Sequence, residues 1–519
     1  MVATSTIGEF PALEERADLT AWLAVAAGSL GALLASLDVS IVNSALPTIQ
    51  GEIGATGTEG TWIATSFLVA EIVIIPLSAW LERLLGLRTF LFVSVILFTG
   101  FSILCGLAGD LMTMIIGRTG QGLTAGGLIP TAMTIVATRL PLRQQPVGMA
   151  LFGITVIIGP VLGPVLGGWL TENLSWHYAF FINVPVCVVL LLLLWLGLPH
   201  RRPDWTYMRE ADWFGIAGLV LGLGGLTVIL EEGHREYWFE SPLIVWLALM
   251  TSLGFVLLFL GQIYSPRPVL KLRLIMTRQF GSIVVMGLVI GMALFGTIYV
   301  VPQFLALIAN YNALQTGYVI LLMGLPALLL MPIVPFLLTR VDIRLAVAWG
   351  LFLMAVSCWV TTDLTADSDG GAFSAGQIMR GVGIIFTFFF LNPGAIAAVS
   401  KEDAGDASSI FNAARNLGGS FALAGLATLQ DERLWHHSRR MEESLSANSP
   451  AVQDYLSDLE VALGSAEAAS RTLAGTIQQQ AFVMAYNDFF FMMTVIITLA
   501  IPLVLFLRPL PKGMSLTMH

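Results

Sequence analysis

Long apolar stretches, cut at intervals by Gly, Pro or a short charged cluster, run almost the length of the chain. Residues 279–339 contain no Asp, Glu, Lys or Arg, and further charge-free runs occupy 89–109, 144–171, 178–199, 213–230, 241–266, 345–362 and 489–507. About 20 apolar residues cross the hydrocarbon layer of a bilayer as a helix. The runs are continuous rather than alternating, so they read as helices and not as strands of a barrel. Cut at its breaks, the pattern predicts fourteen spans, at 22–46, 61–81, 89–109, 112–138, 146–170, 178–198, 212–230, 242–263, 279–302, 314–337, 343–362, 374–399, 405–429 and 484–507. The expected fold is an all-α polytopic membrane protein.

Composition agrees: 56% of the 519 residues are hydrophobic and 11% charged, where soluble domains carry roughly 25% charged residues. The net charge of −9 changes little, because the signs are sorted by side. With a cytoplasmic N-terminus, seventeen Lys and Arg fall in inside loops and termini, Arg83, Arg88, Arg139, Arg143 and Lys512 among them. Five fall outside: Arg235, Arg433, Arg439, Arg440 and Arg471. That asymmetry places both termini in the cytoplasm. Residues 1–20 are acidic and lack the basic start of a cleaved signal, so the first span is expected to stay. Cys105, Cys187 and Cys358 are too few and too scattered for a disulfide framework. No basic cluster points to nucleic acid, no phosphate-binding GxxxxGK[ST] loop occurs, and His436-His437 lacks further metal ligands. No catalytic or metal constellation is expected and no cofactor; an ion gradient or a partner must supply the energy.

Charge inside a membrane is expensive and therefore informative. Asp38, Glu71, Arg118, Arg380 and Arg415 fall inside spans. At 1.5 Å per residue, Asp38, Glu71 and Arg118 lie about 9 to 15 Å from the outer ends of spans 1, 2 and 4. All three are expected at similar depth. An acid beside an arginine is either ionised and paired or protonated and free, which a proton carrier requires; the competing reading is a structural salt bridge. Asn43 is off the helical face of Asp38 and is expected to hydrogen-bond between helices. In span 5, Gly159, Gly163 and Gly167 recur every four residues beside Pro160, Pro164 and Gly168, a small-residue stripe for close helix approach that reads as a gating helix. Span 13 aligns Ser408, Asn412, Arg415 and Gly419 on one face, which lipid cannot host. With Gln377 and Arg380 of span 12, Asn43, Gln121, Asn412 and Arg415 are the polar groups expected to line a substrate cavity. Residues 431–482 are polar, with helical apolar spacing at Leu456, Leu459, Leu463, Leu473 and Ile477, so they form either a cap or a docking surface on the outer face.

These residues resemble the fourteen-helix drug:proton antiporters of the major facilitator superfamily, the EmrB/QacA type. The likeness rests on Leu37-Asp38 through Pro47 in span 1, Gly117-Arg118-Thr-Gly-Gln121-Gly122 in span 4, the Gly159–Gly168 run, Phe180-Phe181-Ile182-Asn183-Val184-Pro185, and Asp212-Trp-Phe-Gly215. It implies two six-helix halves, 21–200 and 279–510, separated by two inserted helices in 201–278, with an outer helical loop at 431–482 and a cytoplasmic tail at 511–519. It also implies proton coupling through Asp38, Glu71 and Arg118, export of amphipathic drugs, and a multi-pass place in the bacterial inner membrane. The outer loop resembles the EmrB side of the family, whose pumps work with a periplasmic EmrA-like adaptor and a TolC-type outer-membrane channel. The alternative is a stand-alone proton-coupled transporter, exporter or importer, of one specific small metabolite. One departure stands out. After span 2, Ala79 and Arg83 replace the Gly and Asp of the superfamily motif, which removes the acid of the usual cytoplasmic charge lock.

Overall fold

The computed structural model describes residues 16–141, 143–330, 333–445 and 449–509. The first fifteen residues and the tail from 510, Lys512 included, were expected in the cytoplasm and lie outside the described residues. The helices are α1 (Leu19–Glu52), α2 (Trp62–Leu85), α3 (Leu87–Gly106), α4 (Leu111–Ala125), α5 (Leu128–Arg139), α6 (Gln145–Asn173), α7 (Tyr178–Gly197), α8 (Trp213–Glu232), α9 (Pro242–Tyr264), α10 (Arg278–Leu307), α11 (Ala313–Leu330), α12 (Val334–Arg340), α13 (Ile343–Val360), α14 (Gly370–Ala397), α15 (Ala404–Ser444), α16 (Pro450–Leu463) and α17 (Ala466–Ala500). No strand occurs among the described residues.

Eleven described helices are long and apolar enough to cross a bilayer. The other three expected spans correspond to the broken pair α4 and α5, the pair α11 and α12, and the first part of α15. Side chains in the loops start the helices. Asp18, Asp110, Asp212, Asp342 and Asp369 each accept a backbone N–H of the first turn, satisfying donors that have no partner in the helix itself. Gly86, at φ 79°, ends α2 and turns the chain straight into α3; that backbone conformation is costly for any residue with a Cβ.

Two expectations about length are corrected. The first span was expected to end near residue 46, but α1 continues through Pro47 to Glu52. Asp38 therefore lies fourteen residues (38 to 52) from its C-terminal end rather than eight. The outer segment 431–482 is not a separate set of loop helices either. α15 runs on to Ser444, α17 already begins at Ala466, and α16 alone is added between them. Leu456, Leu459, Leu473 and Ile477 are half-buried where α16 packs on α17, whereas Leu463, expected in that seam, is exposed.

Helix packing arranges the rest. α1 packs along α6, α7 and α5; α10 packs along α15; α13 lies against α14 and α17. α8 and α9 pair through Gly218 and Gly222 against Gly254, and α8 carries a π-helical turn at Val220–Gly224 there.

Candidate functional site

Asp38 and Arg118 meet inside the first helices. Arg118 donates from a terminal guanidinium nitrogen to Asp38 Oδ2 at 2.6 Å, and neither side chain reaches solvent. The other carboxylate oxygen accepts from Asn183 Nδ2 at 2.6 Å and Gln121 Nε2 at 3.1 Å. Both amides also donate to Ser102 Oγ, which donates onward to the Phe180 carbonyl. Arg118 is held on its far side by the Gln121 side-chain carbonyl at 2.9 Å and the Ile63 backbone carbonyl at 3.2 Å, and it lies 4.2 Å from the centre of the Phe67 ring.

Both oxygens of the buried Asp38 carboxylate are satisfied by donors, as a buried charge pair demands. The sequence reading grouped Asp38, Arg118 and Gln121 on their motifs but gave Asn183 and Ser102 no role. Asn183 was visible within the Phe180–Pro185 run, one turn into α7. What the sequence hides is that α7 carries it to α1.

Glu71 does not join this pair. It is buried on α2 and turns toward α15, whose Arg415 and Asn416 are the neighbours that act on its carboxylate. The shared depth of the three groups is therefore a poor guide to contact: α2 lies between α4 and α15 and presents Glu71 to the latter.

The remaining cavity residues divide. Gln377 accepts from Arg380 at 2.8 Å, Arg415 lies 5.3 Å over Phe388 and bonds Asn416, and Asn412 donates to the Ser408 carbonyl; all are buried. Asn43 is exposed and makes no hydrogen bond among the described residues, against the expectation of an interhelical bond: it sits one position outside the Ser40–Ser44 face that meets α6.

That face is where the glycine stripe goes. A Cβ added at Gly159, Gly163 or Gly167 would meet Ser36, Ser40 and Ser44 of α1 in turn. Each serine hydroxyl donates back to a carbonyl of its own helix, so the seam is small and internally satisfied. Pro160, Pro164 and Gly168 are half-buried beside it. On another face of α6, Val161 and Val165 touch Gly324 and Gly317 of α11. α6 is thus fixed to α1 by glycines and faces α11 through valines.

Where the C-terminal end of α2 meets α15, Arg83 forms a two-pronged bond to Asp406 at the start of α15, at 2.8 and 3.0 Å. Lys271, from the segment before α10, reaches Asp406 at 3.0 Å and also Asp403. Ser78 meets Ser409, Ser408 donates to the Pro130 carbonyl, and Gly405 touches Ala79. The missing acid after span 2 does not abolish a charge lock. The lock exists with opposite polarity, its cations on α2 and the linker and its acids at α15.

With this geometry in place, comparison with known proteins is decisive. The Major Facilitator Superfamily profile matches residues 28–423. The chain belongs to the major facilitator superfamily. Among curated members of this superfamily, the multidrug export protein EmrB of Escherichia coli K12 is 31% identical over 93% of this chain and 94% of its own length. The colistin resistance protein EmrB of Acinetobacter baumannii is 30% identical over 94% and 96%, and the fatty acid resistance protein FarB of Neisseria gonorrhoeae 30% over 96% and 98%. The major facilitator fold itself is seen in a crystal structure of the human organic anion transporter MFSD10 (TETRAN), at TM-score 0.60 and 14% identity, covering 93% of this chain and 99% of that one. As a major facilitator protein with many apolar helices, the chain is a multi-pass membrane transporter rather than an enzyme.

Proposed function

We propose that this transporter is a proton-coupled exporter of amphipathic toxic compounds. It is the inner-membrane part of a tripartite pump. The observation that carries the coupling is the enclosed Asp38–Arg118 pair. An acid with one cationic partner and two amide donors is stable when ionised, and becomes protonatable once helix movement opens that shell. The multidrug substrate class is supported by relatives whose names describe multidrug export, at 30–31% identity over nearly full length.

In this reading α1, α2, α3, the pair α4 and α5, α6 and α7 are the first six spans, within 21–200. α8 and α9 are the inserted pair, within 201–278. α10, the pair α11 and α12, α13, α14, α15 and α17 complete fourteen, within 279–510. Both termini are cytoplasmic. The lock of Arg83 and Lys271 on Asp403 and Asp406 holds the cytoplasmic side shut, and export alternates between breaking and remaking it. No cofactor is needed; the proton gradient drives the cycle.

The outer stalk made by the ends of α15 and α17 with α16 supports the tripartite part. It is braced at its base by His437 on Asp488 at 2.8 Å, and it exposes Trp435, Tyr455 and Val461. Apolar side chains on a rigid polar stalk suit an EmrA-like periplasmic adaptor, which would lead to a TolC-type channel.

Everted membrane vesicles test the export reading. With a pH gradient set by respiration and reported by a dye, adding an exported compound discharges the gradient. If a panel of cationic, neutral and anionic amphiphiles leaves the gradient untouched while the protein is folded and abundant, proton-coupled export is wrong.

A further inference from the structure

The membrane interior of the last helices holds two guanidiniums and no acid of its own. Residues 279–339, 345–362 and 489–507 carry no charged side chain. Arg380 is the one charged residue of α14, and Arg415 the one in α15 between Asp406 and Asp431. The two arginines are 1% and 3% exposed. Their counter-charge comes from outside that group: Glu71 of α2 is the carboxylate that acts on Arg415. The groups acting on Glu71 in turn are Arg415, Arg118 and Asp38. Arg118 and Asp38 already satisfy each other. Among these five groups three cations meet two acids, and Arg380 is the cation on which no carboxylate acts.

The hydrogen bonds tell the same story. Arg415 has one nitrogen bonded, to Asn416 Oδ1 at 3.2 Å, while its Nε and its other terminal nitrogen are buried without a partner. Arg380 bonds Gln377 and leaves its Nε unpartnered. Unpaired donors on a buried cation are costly, and in native structures they call for an explanation such as a bound ion or a ligand. Arg415 also lies over Phe388 at 5.3 Å from the ring centre, and Phe388 stacks on Phe152 of α6. A cation with free planar donors beside stacked aromatic rings matches an anionic head joined to an apolar body. Guanidinium suits the two oxygens of a carboxylate better than a single point charge does.

We propose that Arg415 is the head-group site for amphipathic monocarboxylates. The apolar tail lies along Phe388 and Phe152, and Glu71 sets the charge balance of the site. Two turns along α14, about 12 Å outward at its helical rise, Arg380 is the next cation the departing carboxylate meets. The site rests on the export reading for its purpose, yet binding tests it separately.

The probe is dansylaminoundecanoate, compared with the same tail bearing a trimethylammonium head, on the purified full chain in detergent. Wild type should bind the carboxylate at least about tenfold more tightly than the ammonium, the ratio one charge-assisted bond supplies. Arg415→Gln should erase that preference and Arg415→Lys keep part of it. Glu71→Gln should widen it, a gain that misfolding cannot produce. Equal affinity of wild type for the two heads, or an unchanged preference in Arg415→Gln, overturns the site. Ethidium export by vesicles is followed in parallel. If ethidium discharges the gradient while the carboxylate preference is missing, the head-group site falls and the exporter stands. If no compound is exported yet the preference is present and depends on Arg415, the site stands and the export reading falls.

Discussion

Arg83 and Lys271 converge on Asp406 beside the Ala79 and Arg83 departure noted in the sequence, and the pH behaviour of that cluster follows from its charges. Burial pulls the Lys271 ammonium down, but Asp403 and Asp406 outweigh it and hold the ammonium above its ordinary value. Burial likewise raises the Asp403 carboxyl, and the bonds from Lys271 and Ser400 overcome it and hold the group below its ordinary value. The acid's contribution is complete above the ordinary carboxyl value and is lost only as pH falls through the lower value of the locked state. The amine's contribution is complete below the ordinary lysine value and is lost only as pH rises through the higher one. Between about pH 5 and pH 9 neither changes charge, so these two groups make the lock respond to salt; the group of the cluster that titrates within that range is Glu82, beside Arg83 and Asp406, whose carboxyl burial raises to about 7. Cysteine pairs placed across the ends of α2 and α15 that meet at Asp406 should cross-link faster at high salt; a rate that salt leaves unchanged would contradict the assignment. Arg83→Asp should cut export severely, since it sets like charges against each other, and Arg83→Asp with Asp406→Arg should restore much of it. No rescue in the double variant, with both proteins folded, means the bond is incidental.

At the scale of whole helices, α6 divides its two faces between stability and movement. The added side chain of Gly163→Leu would drive into Ser40 of α1, where a Cβ alone meets the serine Cβ at 2.1 Å. Overpacking of this kind costs about 1–3 kcal/mol, and its expected result is a lower melting temperature in detergent. Gly324→Leu enlarges the valine contact with α11, where a Cβ meets Val161 at 3.0 Å. It should leave stability nearly intact and slow export. If Gly163→Leu melts like wild type, or Gly324→Leu transports at full rate, the division of faces fails. Much of this was legible from the chain. The apolar runs located the helices, and the four-residue glycine period announced a close approach. Which helix fills a glycine groove is not a property of the groove, so Ser36, Ser40 and Ser44 stayed hidden although they repeat with the same period. Glu71 shows the same limit, because depth along a helix fixes height in the membrane and leaves the facing neighbour open. Proline at 47 looked like an end to α1, yet the helix runs on through it to Glu52, at the cost of one backbone hydrogen bond.

For the molecule as a whole, the stalk and the proton site make separable claims. Replacing residues 445–465, the α16 hairpin, by a short Gly-Ser linker removes Tyr455 and Val461 while keeping the helices that cross the membrane. Export in vesicles should survive, and drug resistance in cells with two membranes should fall to that of a strain lacking the pump. Unchanged resistance would make the stalk a cap. The central claim is that Asp38 takes up the exchanged proton when its shell of Arg118, Asn183 and Gln121 opens, and gives it up when the shell closes. Its most direct measurement is proton release by the purified protein in weakly buffered detergent on adding a compound that the vesicles export, read with a pH dye. Wild type and Glu71→Gln should release protons in step with binding, and Asp38→Asn should bind the compound and release none. Release from Asp38→Asn equal to wild type would contradict the account.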